Sequence, residues 1–175
     1  MKTPELKTER LILLPYTPDR VTQQHVDWLN DPEVVKFSQQ RHLSHDIYSQ
    51  RDYVEEASEL GHIWLVATNL GAIIAPVGTV SVRIDHNNQV GDMGILIGNK
   101  LMWRNGYATE AWKEVMRWCF DELKLRKIEC GCMSPNLGMR QLAVKTGMRI
   151  EGGKVSHFLL DGKPVDAVYY GKMRE

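Results

Sequence analysis

The segment Trp103-Arg104-Asn105-Gly106-Tyr107-Ala108-Thr109-Glu110-Ala111 constrains this chain more than any other. It directly follows the apolar run Gly94-Ile95-Leu96-Ile97-Gly98 and opens an amphipathic stretch. A strand that enters a tight glycine turn and then a helix leaves the first N–H groups of that helix without intrahelical partners. Those donors, with the positive end of the helix dipole, suit a phosphate. Gly106 matters because a residue without a side chain lets a phosphate come close to the backbone. The segment is a candidate pyrophosphate cradle. The same residues also suit an ordinary strand-to-helix turn, and both readings stand at this point.

A chain of 175 residues has the length of one domain and can bury a real core. One domain over residues 1–175 is expected. With 43% hydrophobic and 25% charged residues, the composition is that of an ordinary globular protein. The formal net charge is zero, so bulk electrostatics favour neither nucleic acid nor an anionic membrane as partner. No apolar run approaches the ~20 residues needed to span a bilayer. Residues 1–7 contain no apolar signal core. A cytoplasmic protein is expected. Cys130-Gly131-Cys132 lacks the CxxC spacing, and no second pair completes a zinc site. Cys119, Cys130 and Cys132 read as buried free thiols, and no metal is expected.

Residues 10–15 read as a first strand. Thr17-Pro18 suggests a helix start, after which Val21, His25, Trp28 and Leu29 line one face. Asn30-Asp31-Pro32 ends that helix. A second helix is expected over residues 46–60, with Ile47, Val54, Ala57 and Leu60 inward and Gly61 as its stop. Strands follow at 62–68, 77–84 and 90–98, the last apolar enough at its end to be buried on both faces. The helix after the glycine turn runs to about Leu123 on a stripe that includes Ala111, Trp112, Val115, Met116 and Cys119. A strand at 127–133, a short helix begun by Ser134-Pro135 and ended by Gly147, and strands at 155–160 and 165–170 complete the chain. Asp161-Gly162 between the last two is a tight hairpin signature. The order predicts an α/β (α+β) fold with one mixed sheet and helices on both faces.

That order, with a glycine turn after the fourth strand, resembles the GNAT acyl-CoA N-acyltransferase family. The family motif reads Gln/Arg-x-x-Gly-x-Gly/Ala, and Trp103-Arg104-Asn105-Gly106-Tyr107-Ala108 matches it at Gly106 and Ala108. Trp103 stands where the family usually has Gln or Arg. The variant running on to Thr109-Glu110-Ala111 is similar to the ribosomal-protein N-terminal acetyltransferase branch. So are Thr8-Glu9-Arg10-Leu11-Ile12-Leu13, Asn30-Asp31-Pro32-Glu33-Val34, and Asn136 followed eleven residues later by Gly147. The resemblance covers essentially the whole chain.

The resemblance implies a single GNAT-type domain with a mostly antiparallel sheet of six to seven strands. It implies that the fourth and fifth strands, residues 90–98 and 127–133, splay apart. It implies acetyl-CoA as co-substrate. Its pantetheine arm would lie in the gap and bond to the backbone of Ile95, Leu96 and Ile97 as an added strand would. Its pyrophosphate would rest on the N–H groups of Arg104, Asn105, Gly106, Tyr107, Ala108 and Thr109. Arg104 either adds charge to a phosphate or is simply solvated. Asn136 corresponds to an asparagine that bonds the pantetheine arm; otherwise it is a polar residue in a helix's first turn. The implied chemistry is direct attack of an amine on the thioester, aided by proximity and by a backbone N–H at the oxyanion. Asp92, where relatives carry an acidic residue, is the implied general base. It also reads as a strand-end carboxylate facing water.

The implied general acid is missing. Some relatives carry a serine three residues after the asparagine and others a tyrosine seven after it, where this chain has Met139 and Ala143. Tyr107, Tyr169, Tyr170 and Ser134 are the substitutes. The acceptor side would comprise the first two helices, the loop at residues 37–45, and the last hairpin with His157 and Asp166. That loop is rich in hydrogen-bond donors and would suit a small polar amine such as an amino sugar or its nucleotide conjugate. A protein N-terminus is the second acceptor reading. A non-catalytic acyl-CoA sensor is the reading from another class, supported by Met139 and Ala143. An exposed final strand would let two copies pair, so a homodimer is an open option.

Overall fold

The computed structural model describes residues 2–69 and 74–175; Met1, first of the N-terminal stretch read above, lies outside them. The elements are β1 (Leu6–Lys7), β2 (Leu11–Pro15), α1 (Gln23–Asn30), α2 (Ile47–Leu60), β3 (Gly61–Thr68), β4 (Pro76–Asp85) and β5 (Val90–Leu96). They continue with α3 (Tyr107–Asp121), β6 (Lys127–Met133), α4 (Leu137–Lys145), β7 (Arg149–Leu160) and β8 (Lys163–Met173). One eight-stranded sheet runs in the order β1-β2-β3-β4-β5-β6-β8-β7. The expected six to seven strands become eight because β1, two residues long, is too short to carry a pattern. The expected fourth and fifth strands are therefore β5 and β6.

Alternation along the strands sorts two cores onto opposite faces. Trp64, Val66, Val80, Val82, Met93 and Ile128 face α3 and α4, and meet Ala111, Trp112, Val115, Cys119, Leu142 and Ala143. Ile63 faces the other way and meets Val54 of α2 with Tyr16 and Val21. Helices thus cover both faces, as expected. Burial pushes the Cys119 thiol up to about 12. It does the same to Cys130, again to about 12, with the nearby Cys132, Asp92 and Glu129 adding to it. Both are inert, while Cys132 is only half-buried.

Several local signals land differently from the expectation. Pro18–Arg20 forms one tight turn of its own, and α1 starts after Thr22, whose N–H donates to His25 Nδ1 at 3.2 Å. The break lets Val21 turn inward. In α2, Leu60 is exposed, and Gln50 is buried against the Tyr16 hydroxyl at 3.4 Å. Ser134 and Pro135 form a turn, and Asn136 is the true cap of α4. The Asp161-Gly162 hairpin is as expected, with φ of 51° and 75°. Gly147, at φ +82°, closes α4: its N–H donates to Val144 O at 3.1 Å and that of Met148 to Ala143 O at 3.0 Å.

Gly98 follows β5 and is buried directly against the Trp28 indole of α1, so that any Cβ there would fall inside the ring. Gly98→Val is expected to cost about 1–3 kcal/mol through overpacking. Trp28→Ala in the same chain should cancel part of that loss. Thermal unfolding of both single variants and the double variant checks this; strictly additive losses would disprove the contact's role.

Candidate active site

The site begins where β5 and β6 part. They pair in parallel over three positions only, Val90↔Lys127, Gly91↔Ile128 and Asp92↔Glu129. Beyond Asp92, β5 stays with β4 as far as Thr79↔Leu96, and β6 stays with β8 as far as Met133↔Ala167. The facing edges of the two strands diverge into a wedge with unpaired backbone groups. A buried strand end was expected here; Ile95, Leu96 and Ile97 are instead half-buried, because β6 has left their flank. The strand also ends at Leu96 rather than at residue 98. Alternate residues turn their backbone groups to opposite edges, so only every second one of the three addresses the gap.

Trp103 has a clear job. Its indole N–H donates to Ile97 O at 2.8 Å and pins the loop after β5 to the end of that strand. Asn99 caps the intervening turn at Lys100–Met102, accepting from Leu101 N–H at 3.1 Å. Arg104 and Gly106 then adopt φ of 63° and 82°. Gly106 is the N-cap of α3 and its carbonyl accepts from Glu110 N–H at 3.1 Å. No backbone carbonyl accepts from the N–H groups of residues 104–109 among the described residues. The Arg104 side chain is exposed and the Asn105 amide donates to Leu101 O at 3.3 Å. Ala108 packs on the core and Thr109 is half-buried.

Arg10 and Glu110 hold this loop from behind, and no local pattern pointed to the pair. Arg10 Nε and Nη2 each lie 2.7 Å from Glu110 Oε2. Loss of water pushes the Glu110 carboxyl up. Hydrogen bonds from Thr8, from the Arg10 N–H and from the Arg10 guanidinium outweigh that and hold it below the usual carboxylate range.

Across the wedge, Asn136 Oδ1 accepts from Met139 N–H at 3.1 Å. The capping role is therefore real, and it leaves the amide Nδ2 hydrogens free to donate. Arg140 braces the same turn, with Nη1 on Ser134 O at 3.1 Å and Nε on the Tyr170 hydroxyl at 3.3 Å.

Asp92 lies at the apex of the wedge, opposite Arg83 of β4 and Glu129 of β6. Although its side chain reaches solvent, neighbouring atoms that exclude water push its carboxyl above the ordinary range. Glu129 pushes the same way and Arg83 opposes. Lys127 holds Glu129 at 3.3 Å and Glu151 at 2.6 Å. Glu129 is the functional candidate that the sequence reading passed over. Its signal was the alternation of Lys127, Glu129 and Gly131 with Ile128, Cys130 and Cys132.

Of the tyrosines considered as acids, Tyr170 is buried on the α4 side and Tyr107 lies 4.6 Å beneath the Arg10 guanidinium. Tyr169 points to the opposite face, where its ring covers Gly131; a Cβ there would sit 3.0 Å from Cε1. Ser134 lies at the end of β6, its N–H on Asp166 O at 2.8 Å. Among the elements expected to form the acceptor side, Arg41 ties the loop at 37–45 to the last hairpin, donating to Ser38 O at 2.6 Å and Leu159 O at 3.0 Å. Asp166 accepts from Ser156 N–H at 2.8 Å and so holds an irregularity in β7, while His157 packs on Phe158. A cavity of about 120 Å3 between α2 and β4 is lined by Tyr53, Glu56, Leu60, Ser81 and Arg83.

Among the described residues, no helix is long and apolar enough to cross a membrane, and no three metal-ligating side chains are gathered.

The family model described as "Acetyltransferase (GNAT) domain" matches residues 10–149. No curated protein matches the chain. Among solved structures, it is similar to a GNAT-family acetyltransferase from Bacillus anthracis, with 21% identity and a TM-score of 0.82 over 98% of this chain and 99% of that one. It is also similar to RimL, a ribosomal L7/L12 alpha-N-protein acetyltransferase solved with coenzyme A, with 14% identity and a TM-score of 0.83 over 97% and 98%. A third is the microcin C7 self-immunity acetyltransferase MccE, solved with acetyl-CoA and AMP, with 18% identity and a TM-score of 0.78 over 95% and 93%. The likenesses agree with a fold already built from one parallel join in an antiparallel sheet, and the family match spans both strands of that join. The chain belongs to the GNAT family of acetyltransferases, enzymes that draw their acetyl group from acetyl-CoA.

Proposed function

We propose that this enzyme acetylates the primary amine of a small polar acceptor, such as an amino sugar or its nucleotide conjugate, with Asp92 as general base. The observation that carries the reading is the wedge itself. One end meets free main-chain amides and the apex holds a carboxylate of raised proton affinity. The fit to acetyl-CoA rests on those unpartnered N–H groups and on the open space at Gly106, where a Cβ would meet only Arg10.

The N–H groups of residues 104–109 bind the diphosphate at the positive end of α3. The gap-facing backbone of residues 95–97 binds the pantetheine amides in the manner of an added strand. Asn136 donates from Nδ2 to the same arm. Bound acetyl-CoA supplies an activated acyl carbon as a thioester. Asp92 takes a proton from the acceptor ammonium and so frees the lone pair of the amine. Tyr53, Glu56, Ser81 and Arg83 set polar groups among the apolar lining of the cavity beside α2, where a polar acceptor could bond to them.

A second reading is a protein N-terminus, the acceptor that RimL's name gives for that protein. It is favoured by the β7–β8 hairpin. The hairpin runs past the end of β6 and leaves Val155 and Leu159 exposed, at 87% and 63%. A thiol-release assay on simple amines, amino-sugar nucleotides and peptides separates the readings. Turnover on the small amines is expected; turnover on peptides alone selects the second reading. Tight acetyl-CoA binding without turnover on any of them would overturn both.

Two variants test the parts. Gly106→Val forces a branched side chain onto a φ of 82° and against Arg10, and so distorts the loop whose N–H groups would hold the diphosphate. Coenzyme A should bind it about 100-fold more weakly by calorimetry. Unchanged affinity would remove the cradle. For Asp92, catalysis needs the ionised form, so kcat/KM should fall as pH drops through its raised pKa. Asp92→Asn should flatten that limb and lower kcat about 100-fold. The sign for stability is opposite. A carboxyl raised in the folded state binds its proton more tightly there, so the charged form opposes folding at neutral pH. Asp92→Asn should therefore melt higher than the parent at pH 7, and a lower melting temperature would contradict the assignment.

A further inference from the structure

Glu110 is an anomaly in a phosphate cradle. It places a carboxylate in the first turn of α3, beside the amides that would receive a doubly charged diphosphate. Near such a ligand an exposed negative charge is repulsive. The structure turns this side chain away and neutralises it. Thr8 Oγ1 and the Arg10 N–H donate to Oε1, the latter at 2.9 Å. Arg10 Nε and Nη2 both close on Oε2 at 2.7 Å.

The remaining guanidinium nitrogen reaches the cradle. Arg10 Nη1 donates to Asn105 O at 3.1 Å. That carbonyl and the Gly106 N–H belong to one trans peptide plane and point in opposite directions. Holding the carbonyl against Arg10 therefore turns the Gly106 N–H away from β2, toward the open side of the turn. The guanidinium plane also covers the Tyr107 ring at 4.6 Å, and Nη2 would lie 3.5 Å from a Cβ at position 106. One side chain thus contacts residues 105, 107 and 110 and abuts 106.

We propose that Arg10 is a positioning residue for the diphosphate cradle: it neutralises Glu110 and fixes the Asn105–Gly106 peptide with its N–H presented to the ligand. This rests on the cradle assigned under the proposed function. The role needs the planar fork of arginine. A lysine ammonium carries the same charge but cannot hold a carboxylate and a carbonyl in fixed directions at once.

The test compares two acetyl donors. S-acetylpantetheine carries the same thioester as acetyl-CoA and lacks the diphosphate. Arg10→Lys should weaken coenzyme A binding about tenfold, the equivalent of one charge-assisted hydrogen bond, and lower kcat/KM for acetyl-CoA to match. Its kcat/KM for S-acetylpantetheine should equal that of the parent. An equal fall on both donors would mean general damage to the fold and would overturn the proposal, as would unchanged coenzyme A affinity. Arg10→Met should lose more than Arg10→Lys, and adding Glu110→Gln to it should restore part of the affinity. Strict additivity would refute the neutralising role. Gly106→Val run in parallel separates the two levels. If Gly106→Val weakens binding and Arg10→Lys does not, only the Arg10 role fails. If neither does, the cradle fails with it.

Discussion

The parallel join in the sheet, three residue pairs between β5 and β6, sets the position of everything else in the site. Antiparallel neighbours can be linked by a hairpin; parallel ones need a crossover, here α3. Parallel strands also finish at the same end of the sheet. Because β5 leads into α3 and β6 into α4, both helices begin at that end and on the same side of the parting strands. The Gly106 cap and the Asn136 cap thus come to flank one gap. Had the pair been antiparallel, the two helix N-termini would have faced opposite edges, and no single elongated ligand could have met both.

A gap held open by missing hydrogen bonds needs its walls fixed from outside. Trp103 fastens the cradle loop to Ile97, and Trp28 packs α1 onto Gly98 at the same exit. Lys100 bridges Asp31 and Glu33 at 2.7 and 3.0 Å, joining the loop after α1 to the turn before the cradle. That exposed pair contributes little energy. The Trp103 and Trp28 contacts do more, while Arg104 beside them sits at positive φ at a cost of roughly 1–2 kcal/mol. Helix α1 and the loop after β5 are in this way attached to the same four residues, 97–100. A shift of one would be felt by the other.

Period and punctuation carried most of the fold. The stripe from Ala111 to Cys119 is buried as read, and the Asp161-Gly162 turn is where the two residues demanded it. The Gly106 signal also located the start of α3. Local pattern failed where long-range contact decides. Leu60 has the spacing of an inward residue but ends exposed, lining the open cavity between α2 and β4, while Gln50 takes an inner place by bonding Tyr16. Ile95 to Ile97 look like a doubly buried strand because apolarity cannot reveal that a neighbour has departed. Trp103 differs in chemistry from the usual Gln or Arg, and only its partner, Ile97 O, explains it. Arg10 and Glu110 are separated by 100 positions, beyond the reach of any periodicity.

The absence of a serine at 139 and a tyrosine at 143 has a packing reason. Ala143 is wholly buried in the same cluster as Leu142, Met148 and Tyr170, and Met139 packs against that cluster. Interiors are filled to crystal-like density, so a ring at 143 would have to displace one already supplied by β8. Leu142, Ala143 and Met139 turn this surface of α4 to the core, and none of them carries an acidic proton. Side chains two apart on a strand share a face and adjacent ones do not. Tyr170 points to α4, so Tyr169 must point the other way, over Gly131. Gly131 lies two residues past Glu129, the last residue of β6 still paired with β5. Among Tyr107, Tyr169 and Tyr170, only Tyr169 shares a face with Asp92 and Glu129. The same alternation that buries one ring in the core leaves its neighbour beside the mouth of the gap.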